Sequence, residues 1–423
     1  MDGFILKGNI LYSKNEKTIE AVKQGYLVCE GDKCGGVYEE IPEEYKNLRM
    51  INYRDNLIIP GMTDLHIHAP QYAFRGLGMD KELLKWLNYH AFSEEEKYAD
   101  LNYAEKSYDI FADDMKKSAT TRACIFGTVH REATEKLMQK MEDTGLVTYV
   151  GKVNMDRNCP ESICEESDAS IRETLSLISS TTGYFRNTKL ILTPRFIPAC
   201  SDELLKGIGK LADELDMPVQ SHLSENPDEV ELVNRLCPGA ENYSDAYARF
   251  GLFGGKVKTV MAHGVHLSFK EMELIKKNNV FIAHCPVSNT DLSSGIAPLR
   301  KLINLKINVG LGSDVAGGHT LSMFRAVTEA VAMSKLYSRL VDRTCVPVSF
   351  AEAFYLGTAG GGKFFGNAGS FEKGSEFDAI VIDDSPLRSP CSLTLNERLE
   401  RAFYLNADLF LIKNKYVNGK KIF

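Results

Sequence analysis

Pro60-Gly61-Met62-Thr63-Asp64-Leu65-His66-Ile67-His68-Ala69-Pro70-Gln71-Tyr72 is the stretch that decides the fold reading. The apolar run Leu57-Ile58-Ile59 leads into its Pro-Gly step, and His66 and His68 then alternate with Ile67. On an extended segment side chains alternate faces, so both imidazoles share one face and Ile67 takes the other. A strand presents two nitrogen ligands to one metal ion in this way.

Other segments repeat the pattern of a short apolar run ending in a potential ligand. They are Met217-Pro218-Val219-Gln220-Ser221-His222, Thr259-Val260-Met261-Ala262-His263, Val280-Phe281-Ile282-Ala283-His284 and Val309-Gly310-Leu311-Gly312-Ser313-Asp314. Strands carrying polar residues at one end are the layout of a (β/α)8 barrel, whose catalytic residues sit at the C-terminal ends of the strands. Remaining barrel strands are expected at Thr120–Phe126, Leu146–Val153 and Leu190–Thr193, with helices such as 201–215 and 271–277 between strands. Ser201 and Asp202 are candidate caps for the first of these.

Working outward, residues 1–57 read as short strands and turns, and the tail returns to strand at Phe377–Ile382. An Asn418-Gly419 hairpin turn follows near the end. The expected organisation is α/β: a TIM-like barrel over 58–370, with 1–57 and 371–423 joining in one small β-sandwich. The stretch from Gly76 to Met115, holding Trp86 and Glu94-Glu95-Glu96, is longer than a strand-to-helix connection requires. It reads as a lid on the catalytic face or as an extra helical layer.

At 423 residues the length suits one large domain with a small companion. A net charge of -7 argues against nucleic-acid or anionic-membrane partners, which need basic patches. No apolar run is long enough to span a bilayer. The ten cysteines show no Cys-x-x-Cys spacing, and Met1-Asp2-Gly3-Phe4 does not resemble a signal peptide. Free thiols in the cytoplasm are therefore expected.

His66, His68, His222 and Asp314, with His263 close by, form the candidate ligand set. Three imidazoles and a carboxylate suit zinc or ferrous iron and leave a position for water, whose pKa the ion lowers. Glu225, three residues after His222, is the candidate proton shuttle. Binuclear barrels of this layout bridge their metals through a modified lysine ending strand four. Here that end is Thr193-Pro194-Arg195-Phe196, so one metal is expected. Asp64 reads either as a residue steadying a ligand histidine or as an ordinary strand polar group. His284 reads as packing beneath the pocket or hydrogen bonding within it. His90, His130, His266 and His319 read as structural or surface histidines, and Ser288-Asn289 and Asp291 as loop formers.

Taken together, these stretches, with Gln71, Arg195-Phe196 and Asp314-Val315-Ala316-Gly317-Gly318, resemble the amidohydrolase superfamily, and more narrowly its guanine-deaminating branch. The resemblance implies one zinc ion on His66, His68, His222 and Asp314, with Glu225, His263 and Asp314 as catalytic groups. It implies that His263 orients the water and that Gln71, Arg195 and Phe196 contact the purine beside His68 and His222. The implied reaction is attack of zinc-activated hydroxide at C2 of guanine, giving xanthine and ammonia, in a homodimer. Ala119 and Arg122 depart from the small residues expected at the second strand, and His90 and His319 also stand where others are expected. The alternatives are a deaminase or dechlorinase of another purine- or triazine-like ring, and a scaffold protein that keeps the metal without catalysis.

Overall fold

The computed structural model describes residues 3–405 and 408–423. Met1 and Asp2, part of the stretch read above for a leader, lie outside the described residues. Among the described residues no helix is long and apolar enough to cross a membrane.

The barrel strands are Met62–His68, Thr120–Phe126, Val147–Gly151, a broken fourth made of Thr188–Leu190 and Thr193–Pro194, then Val219–Leu223, Thr259–His263, Phe281–His284 and Asn308–Leu311. They form two parallel four-stranded sheets, the first ending on Thr188–Leu190 and the second running from fifth to eighth, while Thr193–Pro194 pairs separately with Val153–Asn154. A bridge between Leu192 and Val219 joins the sheets on one side. On the other, Asp314 N–H donates to the His66 carbonyl at 2.8 Å and His68 N–H donates to that of Val315 at 2.9 Å. These bonds carry the ring round from the eighth strand to the first.

Inside the ring Leu65, Cys124, Ile191, Val260, Phe281, Ala283 and Cys285 pack around Phe364. The centre is thus a filled core, as barrels of this size require. The first strand skips register between Asp64 and Ile67, where three steps oppose two steps from Ala123 to Ile125. Such a bulge re-aims side chains. It lets Leu65 enter the inner core while His66 and His68 both reach the mouth.

The two termini meet in one seven-stranded sheet. Its spatial order is Lys420–Lys421, Ile412–Val417, Ala379–Ile382, Arg49–Pro60, Gly3–Asn15, Thr18–Glu30 and Lys33–Tyr38. Leu57-Ile58-Ile59 belongs here and not to the barrel. Leu57 and Ile58 pair with Asn9 and Ile10, and with Ile382 and Val381. A short buried apolar run reads alike in either sheet, so periodicity alone does not separate them. We therefore place the junction at Gly61 instead of residue 57, where it would cut a strand. Asn418 and Gly419 both take left-handed backbone at φ 46° and 72°, as a tight hairpin turn requires.

Arg122, on the second barrel strand, points away from the pocket into the junction with this sheet. Its Nε donates to Asp378 Oδ2 at 2.6 Å, and its Nη2 donates to Asn418 Oδ1 at 2.8 Å. Nearby, buried Lys415 donates to the carbonyls of Met115, Ser118 and Thr120 at 3.0, 2.8 and 2.9 Å. It thereby ties the end of helix Leu101–Lys117 to the terminal sheet. The departure at Arg122 therefore concerns how the two units join. Asp378→Ala strands the guanidinium and is expected to cost about 3–5 kcal/mol of stability, read as a lower urea midpoint. A loss under about 1 kcal/mol would contradict that role.

Candidate active site

At the mouth of the ring the strand ends converge. His66 Nε2 lies 3.1 Å from Asp314 Oδ1, and His68 Nε2 lies 3.5 Å from the same oxygen. The Nε2 atoms of His68 and His222 are 3.2 Å apart. His263 Nε2 is 3.4 Å from Glu225 Oε2 and 3.8 Å from Asp314 Oδ2. Three overlapping triads, His66–His68–Asp314, His66–His222–His263 and Glu225–His263–Asp314, each bring their ligand atoms within 4.8 Å.

The environment suits a cation. His66, His68, His263, Glu225 and Asp314 are buried and His222 is half-buried, and the Nε2 atoms of His66 and His263 have no hydrogen-bond partner. Burial lowers the pKa of His66, and takes those of His68 and His222 well below the usual imidazole range. Neutral imidazoles with free lone pairs are what a divalent ion binds. His222 Nδ1 bonds the Arg195 carbonyl at 2.6 Å, which leaves its Nε2 as the free donor atom.

The backbone is built for this convergence. Ser224, His263 and Asp314 take left-handed conformations at φ 48°, 75° and 47°. Non-glycine residues pay for that geometry, and it recurs at functional sites. Each turns a side chain or its neighbour inward just as its strand ends. Glu225 is held by its neighbours: the Glu229 carboxylate accepts from the N–H groups of Glu225 and Asn226 at 2.9 and 3.2 Å. Ser294 Oγ donates to Glu225 Oε1 at 3.1 Å. Burial, then the charges of Asp314 and Glu229, push the Glu225 pKa well above the carboxylate range. A carboxyl so placed takes up and holds a proton readily.

A cavity beside this cluster is lined by His68, Gln71, Arg195, Phe196, His222, Glu225 and Asp314, and roofed by Leu83, Trp86 and Leu87. The segment from 76 to 115 thus divides in two. Leu83–Ala99 covers the pocket in short helical turns, while Leu101–Lys117 is a long helix packed on Arg131–Thr144. The second half is thus the barrel helix joining the first and second strands, not an extra layer, and the first half is what lengthens the connection.

Asp64 touches no imidazole ring. It accepts from the backbone N–H of His66 at 3.2 Å and of Ser313 at 3.0 Å, and from Ser313 Oγ at 2.5 Å. Burial outweighs these bonds and raises its pKa to about 6. Asn289, read as a loop former, instead places Oδ1 2.9 Å from His263 Nδ1. His266 takes a structural place, with Nε2 2.7 Å from the carbonyl of Ser294, the residue that bonds Glu225. His90 stacks on Phe74, and His319 pairs with Asp291 at the surface. Sequence reading missed Glu95, Asn289, Ser294 and Glu229. Only Glu229 carried a signal, as the third residue of a helix capped by Asn226.

His284 is buried with both ring nitrogens unpartnered. Burial, then the neighbouring His263, lowers its pKa from 6.5 to about 3. The folded state therefore binds fewer protons than the unfolded chain between those values. This contribution to stability is full above about pH 6.5 and is lost as pH falls toward about 3. His284→Gln is expected to flatten the acid limb of stability, measured as unfolding midpoints from about pH 7 to about pH 4. An unchanged slope would contradict a neutral buried imidazole.

The amidohydrolase family profile matches residues 57–422. A guanine deaminase of Dictyostelium discoideum is 35% identical, with 99% of this chain and 98% of that protein covered. One of Mus musculus is 37% identical over 86% of this chain and 82% of its own length. A crystal structure of guanine deaminase from C. acetobutylicum with guanine in its active site superposes with a TM-score of 0.97 at 45% identity, covering 100% of both chains. With the family profile spanning the whole barrel and relatives of this identity end to end, the chain belongs to the amidohydrolase family, among its guanine deaminases.

Proposed function

We propose that this enzyme hydrolyses guanine to xanthine and ammonia, using one zinc ion per chain held by His66, His68, His222 and Asp314. The observation that carries the reading is a single cavity lined at once by His68, His222 and Asp314, by Glu225, and by Gln71, Arg195 and Phe196, with His66 Nε2 3.1 Å from Asp314 Oδ1. The relatives named above, one with guanine bound, support the same substrate.

A divalent ion at this donor set supplies a water acidic enough to serve as nucleophile near neutral pH. The remaining work falls to side chains. Phe196 offers a face to the purine, and Arg195 and Gln71 offer N–H groups to its oxygen and nitrogen acceptors. Leu83, Trp86 and Leu87 give the same cavity an apolar wall. His263, fixed through Asn289, directs Nε2 toward Glu225 and Asp314 and so orients the attacking water. Glu225 takes the proton from that water and gives it to N3 as the bond to C2 forms. The tetrahedral C2 then expels its amine, which leaves as ammonia after receiving the second proton through Glu225.

We carry the cytoplasmic setting over to this enzyme on its likeness to the relatives named above. We extend the reading to purine catabolism by a homodimer on the resemblance to the same relatives.

Guanine turnover, followed as loss of ultraviolet absorbance with release of ammonia, is expected to vanish on chelation and return with zinc. Glu225→Gln should keep its metal and lose about 100-fold or more of kcat. A variant that stays active would remove Glu225 from the mechanism. Metal binding without guanine turnover would shift the substrate to another amino-purine or aminotriazine.

A further inference from the structure

Glu95 takes no part in the chemistry above, yet it is 1% exposed and sits against the purine-binding side chains. It comes from the roof segment, in the short helix Phe92–Glu95. Gln71 Nε2 donates to Glu95 Oε1 at 2.9 Å, and Arg195 Nη1 donates to Glu95 Oε2 at 2.6 Å. Phe92, three residues earlier on the same helical face, lies 5.3 Å beneath the Arg195 guanidinium. On its other side the Gln71 amide oxygen accepts from Ala316 N–H at 3.3 Å.

We propose that Glu95 is a positioning residue that sets which purine the pocket accepts, by locking Gln71 and Arg195 so that both face the substrate as hydrogen-bond donors. A glutamine amide has two N–H groups and one carbonyl oxygen. Here the oxygen points to Ala316 N–H and one N–H to Glu95, so the other N–H is left for the cavity. Flipping the amide would set its oxygen against the Glu95 carboxylate and its N–H groups against Ala316 N–H. Both contacts would be repulsive, and the pocket is too buried for water to relieve them. The guanidinium has no acceptor at all. A donor pair matches adjacent acceptors, which guanine carries at O6 and N7. A purine with an amine at C6 presents N–H there and leaves buried donors unpaired, the arrangement by which sites reject analogues most strongly.

A counter-charge for Arg195 would account for one of the two bonds only. The bond to Gln71 distinguishes a specificity role from a purely structural one. The inference rests on guanine as substrate, and its test separates the two claims. Steady-state kinetics of wild type and Glu95→Gln would be measured with guanine and with 2,6-diaminopurine, in which an amine replaces O6 and N1 loses its proton while the N7 acceptor is kept, alongside metal content.

Glu95→Gln frees the amide to turn. The KM for guanine should rise about tenfold while kcat changes less, and the guanine preference in kcat/KM should fall about tenfold or more. Glu95→Asp, which keeps two acceptor oxygens, should retain more of that preference. Equal loss on both substrates, or an unchanged ratio with normal metal content, would overturn the proposal. If Glu95→Gln does not fold, Gln71→Met carries the test: the preference should fall there too, and an intact preference overturns the proposal. A wild-type enzyme inactive on guanine would instead sink the substrate reading.

Discussion

The seam between the first barrel strand and the turn after the eighth is the constraint on which the site depends. Asp314 lies three residues beyond the end of Asn308–Leu311, outside regular strand. Its own N–H on the His66 carbonyl, and the His68 N–H on the Val315 carbonyl, hold it opposite the two histidines. Asp64 clamps the same turn through both the backbone and hydroxyl of Ser313. One residue further on, Ala316 N–H orients Gln71. A single stretch of backbone thus sets both the proposed metal ligands and Gln71, the proposed purine contact. The left-handed conformation at Asp314 costs about 1 kcal/mol, a small sum beside the bonds that impose it.

Electrostatics explain why the cluster belongs with a cation. Each imidazole gives up water on burial and pairs with little in return, and two of the Nε2 atoms have no partner. Unpartnered buried polar atoms are costly. A divalent ion repays that cost, because every lone pair left unused points to one small region. Glu225 is shifted in the opposite sense, toward holding a proton, by the same burial and by neighbouring acids. One environment thereby gives ligands that are free of protons beside a carboxyl that takes them up. Away from the site, Arg122 and Lys415 bind the barrel to the terminal sheet through buried charged hydrogen bonds.

That these histidines end at one mouth was legible because a barrel strand is a short apolar run that stops at its functional end, and His222, His263 and His284 each mark such a stop. Glu225 was legible for being next to one of them. The boundary at Leu57-Ile58-Ile59 was not, since a strand buried in a sheet and one buried in a barrel have the same composition. The bulge at Leu65 was hidden by the alternation it interrupts. Glu95 was the hardest to see: it is 100 residues from Arg195 in an acidic run, beside a Glu94 that is buried too, and only its partners distinguish it. Asn289 was hidden for a similar reason, because a loop-forming asparagine and one that orients a histidine look alike in sequence. Contacts made across the ring leave no local period to read.

The most direct test of the central claim is the coordination of zinc itself, by anomalous scattering from crystals of the zinc-loaded enzyme. One ion per chain, bound by the imidazoles of His66, His68 and His222 and by the Asp314 carboxylate, is the predicted result. Two ions in the pocket, or one held by His263 and Glu225 in place of those ligands, would contradict it.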